Sequence, residues 1–251
     1  QRGDRFPLYL LNACNIPKFF WATELVSRNR DQDRLLKSNI FNHVFVHSNK
    51  CKQQIIEKKW LPEENITVIL NGFDPSLHKK LNLEKDIDLL FIGSTLPRRK
   101  KIFNELRKTY NLKVYSAFGE EMVRLFNRAK IVLNIHAEEF LDTETRIFEA
   151  LGCGAFVISE KLSSENPFIS GEHYIEVSNM KRMDEKIKFF LDHKPERKKI
   201  ALEGHKEALK KHTYIVRAEQ FINTFQKYKL KKSSTSFNPT KLKLFSIYEQ
   251  L

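Results

Sequence analysis

Arg146 and Glu149 stand three positions apart in TRIFEALGCGAFVIS, residues 145 to 159. On a helix that spacing puts a guanidinium and a carboxylate on neighbouring turns of one face. Such a carboxylate can accept from a pair of hydroxyls, and such an arginine can meet a diphosphate in a forked hydrogen bond. A helical wheel leaves Ile147, Phe148 and Leu151 on the opposite face, where they must pack on a sheet. Asp142 or Thr143 is placed to cap this helix, and the Gly152 and Gly154 pair to stop it. The two charges also fit an ordinary surface pair, worth roughly a few tenths of a kcal/mol. Position in the fold decides between the two.

A second group lies in GSTLPRRKK, residues 93 to 101. Gly93 and Ser94 make a small turn ahead of four consecutive basic residues that include Arg98 and Arg99, with Pro97 at the helix start. Backbone N–H groups and the positive end of a helix dipole favour a phosphate there, while a solvated basic face fits the same residues. The GxxxxGK[ST] pattern of a P-loop is absent. Glu24 follows the run IPKFFW and His47 ends HVFVHS. Both are candidates for acid–base chemistry, although a loop carboxylate or a strand-end histidine is more often structural.

These residues need a scaffold. From residue 87 short apolar runs alternate with helical ones: IDLLFIGS, then PRRKKIFNELRKTY, LKVYSAF, EEMVRLFNRAK, IVLNIH, the 145–152 helix, AFVISEK and HYIEVS. Parallel strands need helical crossovers, so the pattern predicts an α/β fold with a doubly wound, Rossmann-like parallel sheet. In such sheets ligands bind at the carboxyl ends of the strands. That places Gly93, Ser94, Tyr115, Ser116, Phe118 and Asn134 around one crevice with the start of the 145–152 helix. Residues 182 to 229 read as helical, with apolar Ala218, Phe221, Ile222 and Phe225 in the last stretch. Before residue 87 only two or three strand–helix units are present, about half of a second Rossmann-like domain.

The 251 residues suit one large domain or two small ones, and 41% apolar composition with 20 Phe can fill a core. No run approaches the roughly 20 apolar residues of a membrane helix. The start lacks both a signal peptide and an initiator Met, which suits a processed chain or an excised fragment. Cys14, Cys51 and Cys153 share no metal-ligand spacing and read as reduced packing thiols, hence a cytoplasmic setting. The net charge of +13 attracts anions without choosing between nucleic acid, lipid and phosphorylated small molecules.

Taken in order, VFVHS, ITVILNGFDPSLH, FIGS with its basic followers, VYSAFG, IVLNIH and TRIFEALGCGAFVIS resemble group 1 glycosyltransferases of the GT-B fold. The resemblance covers residues 16 to 225, and the spore-coat-protein-like branch is the nearest. It implies a metal-independent, cofactor-free transfer of a sugar, of the hexosyltransferase kind, from a nucleoside diphosphate sugar. Glu149 would hold the ribose hydroxyls; Arg98 or Arg99, with Gly93 and Ser94, would neutralise the diphosphate. Arg146 would share that task, and Tyr115, Ser116 and Phe118 would flank the base. The family's second glutamate, eight positions before the ribose-binding one, is replaced by Leu141, with Glu139, Asp142 and Glu144 nearby but off register. Retention or inversion at the sugar is therefore left open.

The expected organisation is a partial, truncated acceptor-side domain over 1–74, a nucleotide-sugar donor domain over 75–229, and a basic linker with a final helix over 230–251 that crosses back. The acceptor is a glycan, protein or lipid. A catalytically silent nucleotide-sugar binder or partner subunit is the alternative, since the acceptor wall is short. A nucleic-acid-binding module is disfavoured because the Phe residues occupy core positions rather than an exposed stripe. The lysines at 227–232 and 241–243 read as a solvated flank, with weak peripheral docking to an anionic membrane as the minority reading.

Overall fold

Leu89, Leu90 and Phe91 are all inaccessible to solvent, and a strand buried on both faces has to lie inside a covered sheet. The computed structural model, which describes residues 8–26, 30–137, 143–226 and 228, shows that sheet. Two parallel sheets are present. The first has β1 (Phe19–Ala22), β2 (His43–Val46) and β3 (Ile66–Val68) in the order β1-β2-β3. The second has β4 (Ile87–Ile92), β5 (Leu112–Tyr115), β6 (Ala129–Asn134), β7 (Val157–Glu160) and β8 (Ile175–Val177) in the order β5-β4-β6-β7-β8.

Alternation along each strand sends neighbours to opposite faces. Leu90, Ile92, Val132 and Val157 pack with Met122 and Phe126 of α5 (Gly119–Arg128) and with Ile147, Phe148 and Leu151 of α6 (Thr145–Gly152). Leu89, Phe91, Ile131 and Leu133 pack with Phe103 of α4 (Pro97–Leu106) and with Ile187 and Phe190 of α7 (Met180–Asp192). The sheet is thus doubly wound, as expected. Its chain order reverses at β4, which has β5 on one side and β6 on the other, so a crevice opens beyond the carboxyl ends of β4 and β6.

On the first sheet Val44 and Val46 pack with Leu36 of α2 (Arg30–Lys37) and with Cys51 and Ile55 of α3 (Asn49–Glu57). The other face is covered from the far end of the chain. After α8 (Lys194–Lys211), α9 (Tyr214–Phe225) lays Phe221 over Phe45 at 4.4 Å and Trp21 at 5.0 Å, and Phe225 over Phe19 at 4.3 Å between ring centroids. The sequence pattern grouped this helix with the second sheet; its aromatic face lies on the first. The segment expected to cross back, 230–251, lies outside the described residues. A short helix α1 (Leu8–Ala13), which the sequence pattern did not separate from an apolar stretch, precedes β1.

The junction between α8 and α9 also clamps the turn after β3. Phe73 N donates to the His212 carbonyl at 3.2 Å, and Tyr214 N donates to the Phe73 carbonyl at 2.9 Å. Arg217 reaches the carbonyls of Leu70 and Asn71. Among the cysteines, Cys51 and Cys153 are buried packing residues, but Cys14 is exposed. No helix among the described residues is long and apolar enough to cross a membrane.

Candidate functional site

The end of β4 explains why the chain has glycine at 93. Its φ is 143°, and a Cβ there would meet Arg146 Nη2 at 2.7 Å. Without that carbon, the Arg146 guanidinium lies across the strand end and over the Phe91 ring, 4.6 Å from its centroid. Arg99 approaches the same ring at 5.0 Å. Its side chain is buried and held at each nitrogen: Nε donates to the Ile135 carbonyl at 2.8 Å, Nη1 to the Ser94 carbonyl at 3.1 Å, and Nη2 to Glu144 Oε1 at 3.1 Å. Arg146 Nη1 donates to Glu144 Oε2 at 2.8 Å and to Asn134 Oδ1 at 3.1 Å. One carboxylate therefore holds two arginines at the switch point of the sheet.

Burial alone would raise the Glu144 carboxyl, but the His136 imidazole, Arg146 and Arg99 outweigh it and hold it at about 2. Burial likewise opposes an imidazolium at His136, yet Glu144 and the Lys161 carbonyl prevail and raise its pKa. At Glu149 the balance differs: burial pushes its carboxyl up against the pull of His78 and Arg146.

A cavity of about 550 Å³ opens over these groups. Gly93, Ser94, Arg99, Ser116, Phe118, Glu144, Arg146 and Glu149 line it from the second sheet, and Thr23, His47 and Asn71 from the first. Of the residues singled out in the sequence, the structure brings Gly93, Ser94, Arg99, Ser116, Phe118, Arg146, Glu149 and His47 to one cavity. It keeps four away from the lining. Arg98 turns aside to a two-pronged pair with Glu160 and to the His136 carbonyl. Asn134 stands behind Arg146 as its acceptor. Tyr115 is exposed but faces elsewhere, and at Glu24 it is the neighbouring Thr23 that reaches the cavity. The basic run thus divides on the helix: Arg99 is buried, Arg98 is paired, and Lys100 and Lys101 form the solvated face.

Two expectations at α6 are corrected. Arg146 bonds to Glu144, and Glu149 faces His78 Nε2 at 3.7 Å, so the two do not form a surface pair. The N-cap residue is Glu144, with no side-chain capping bond, because its carboxylate is taken by the arginines. Thr143 spends its hydroxyl on Ser163 at 2.6 Å; Asp142, like Glu139 and Leu141, lies outside the described residues. Glu144, Thr23, Asn71 and His78 were not legible as site residues. Glu144 gave the one usable signal, a carboxylate two positions before Arg146.

Residues 76–223 match the profile of a family described as glycosyl transferase-like, more than half of the 251 residues. The chain belongs to that family. Other comparisons agree with this glycosyl transferase-like assignment at the level of fold. HepE from Anabaena, solved with UDP-glucose, superposes with a TM-score of 0.64 at 13% identity, over 84% of this chain and 72% of that one. Sucrose-phosphate synthase from Thermosynechococcus elongatus gives 0.62 at 14% identity, over 88% and 70%. The fold is GT-B, α/β with parallel sheets. A curated relative, an uncharacterised protein of Acanthamoeba polyphaga mimivirus, is 37% identical over 95 residues, 37% of this chain and 32% of the relative. The glycosyl transferase-like chain therefore matches about a third of that relative's length.

Proposed function

We propose that the protein transfers a sugar from a nucleoside diphosphate sugar, bound at the carboxyl ends of β4 and β6, to an acceptor that approaches from the first sheet. One observation carries this: Arg99, Arg146 and Glu149 converge on one cavity at the point where the strand order reverses. Two fixed guanidiniums suit the diphosphate, whose charge grows as the bond to the sugar breaks. They need no reorganisation when that charge develops, so the transfer proceeds without a metal ion. Glu149 accepts from the ribose hydroxyls, while Ser116 and the largely exposed Phe118 flank the base. His47 and Asn71 face the acceptor side. The structures of HepE with UDP and with UDP-glucose support a uridine nucleotide as the first donor to try. Placement near the spore-coat-protein-like branch rests on the acidic-to-arginine loop ahead of FEALGCG.

A silent nucleotide-sugar binder is the second reading, favoured by the narrow, three-stranded first sheet. Hydrolysis and transfer assays with a panel of nucleotide sugars separate the two: binding without turnover selects the silent form. For the site itself, Glu149→Ala is expected to weaken nucleoside diphosphate binding by about 1.5 to 3 kcal/mol, the value of a charged hydrogen bond. Calorimetric titration with the uridine, guanosine, thymidine and cytidine diphosphates is the measurement. Unchanged affinity for whichever of them binds removes Glu149 from the site.

A further inference from the structure

His78 ends the turn that links the two sheets, and its side chain has so far had no task. The turn is tightly built. Asp74 Oδ1 accepts from Ser76 N at 2.8 Å and from Ser76 Oγ at 2.7 Å, and the Asp74 carbonyl accepts from His78 N at 2.8 Å. The same carbonyl lies 3.1 Å from His78 Nδ1. A carbonyl oxygen only accepts, so Nδ1 carries hydrogen. The other ring nitrogen, Nε2, is buried, stands 3.7 Å from Glu149 Oε1, and has no hydrogen-bond partner among the described residues. In a neutral imidazole with Nδ1–H, Nε2 is a lone pair. Facing an ionised carboxylate with little water between them, it repels; one proton placed between the two turns repulsion into attraction.

We infer that His78 is a positioning residue for Glu149: the pair holds one proton in common, and that proton fixes the carboxylate at the cavity wall, ready to accept from a nucleotide's ribose diol. The inference rests on Glu149 being a nucleotide contact. Among the described residues no other neighbour takes the part. Arg146, on the same helix, is engaged by Glu144. Cys153, just past that helix, has its thiol pushed up to about 12 by burial, and the Tyr214 hydroxyl at the start of α9 is raised as well, so both stay neutral in ordinary buffers. Asp74, in the turn itself, is lowered by its bonds to Ser76 and remains an anion. Lys85 touches this group only through Cys153. Burial raises the Glu149 carboxyl, which favours a proton on this pair.

The consequence for binding has a sign. With one proton on the pair, an imidazolium holds an ionised Glu149 that accepts from the diol. As pH rises and the pair loses that proton, a lone pair faces the carboxylate and the anchor is lost, so affinity falls on the alkaline side.

The test is calorimetric titration with UDP from about pH 5.5 to about pH 9, which brackets the ordinary range of a histidine. Wild type, His78→Gln, His78→Phe and Glu149→Ala are compared, with folding checked by circular dichroism. Wild-type affinity is expected to fall about tenfold across the alkaline half, one charge-assisted hydrogen bond. His78→Gln, whose amide donates at every pH, keeps the neutral-pH affinity and flattens that limb; His78→Phe binds about tenfold more weakly at neutral pH. An alkaline limb that persists in His78→Gln overturns the inference. So does wild-type binding by His78→Phe when Glu149→Ala is impaired, an outcome that leaves the nucleotide reading intact. If Glu149→Ala binds as wild type, Glu149 is not a nucleotide contact, and it is that premise, not the pairing, that fails. The shared proton is then judged from the His78 ring by NMR: it titrates at lower pH in Glu149→Gln if the proton is shared, and an unchanged titration overturns the pairing.

Discussion

Glu144 sets the electrostatics of the cavity floor. Its carboxylate lies between Arg99 and Arg146, and neither guanidinium has water enough around it to be left alone. A carboxyl whose folded pKa is depressed contributes stability that is present above its unfolded pKa and lost as pH falls through the folded one. For Glu144, lowered from 4.5 to about 2, the window is that acid interval, and the contribution is about 3 kcal/mol. Glu144→Gln is therefore expected to be less stable at neutral pH and to converge on wild type as the acid is increased. Urea denaturation midpoints at a series of pH values check this; a stability gap that stays constant down to the acid end contradicts it. In the sequence Glu144 stood only as a carboxylate off the family's register, and the reason is physical. Besides His136 and Arg146 nearby, it holds Arg99, 45 positions away, and no local spacing records such a partner. Arg99 itself was legible as a phosphate-binding candidate, whereas nothing in PRRKK distinguished it from Arg98, since which of two adjacent helical residues turns inward depends on where the helix sits on the sheet.

At the scale of elements, the two glycines at the end of α6 have different duties. Gly154 is the helix stop: its φ is 69°, its N–H donates to the Leu151 carbonyl, and Ala155 N–H donates to the Ala150 carbonyl, the paired bonds of a Schellman ending. Gly152 is still helical, and a Cβ there would meet the Phe73 ring at 2.5 Å. Phe73 has nowhere to go, because its backbone is held on both sides by the α8–α9 junction. Gly152→Ala is thus expected to cost about 1 to 3 kcal/mol by overpacking, and to perturb the cavity by moving Glu149 one turn earlier on the same helix. Chemical denaturation measures the first effect and nucleotide affinity the second; a variant as stable as wild type would show that Phe73 is not fixed. Strands such as IVLNIH were legible because strands buried on both faces are continuous apolar runs. The spacing in GCG gave the end of the helix, but close approach by a distant ring leaves no mark on a glycine.

For the molecule as a whole, the question is whether two sheets behave as two units. Both tryptophans, Trp21 and Trp60, belong to the first sheet and its helices, so their fluorescence reports that half alone, while far-ultraviolet circular dichroism reports every helix. With α9 covering β1 and β2, and the Phe73 turn held between halves, the two signals are expected to change together on unfolding. Phe221→Ala removes the ring packed on Phe45 and Trp21, costs about 2 kcal/mol for a partly buried aromatic, and should bring the tryptophan transition forward of the other. Coincident transitions in that variant would mean that the helix is not what joins them. The sequence pattern divided the chain by position; apolar spacing in α9 shows that one face is buried but not which sheet buries it.

That arrangement also bears on the order of events during synthesis. Synthesis runs from the amino end, so β1, β2 and β3 emerge before α9, with Phe19, Trp21 and Phe45 uncovered. Their lid is α9, made only after the whole second sheet has appeared. Until then the nascent first half offers a row of aromatic rings to whatever is nearby, which makes it the natural place for a chaperone to hold this chain.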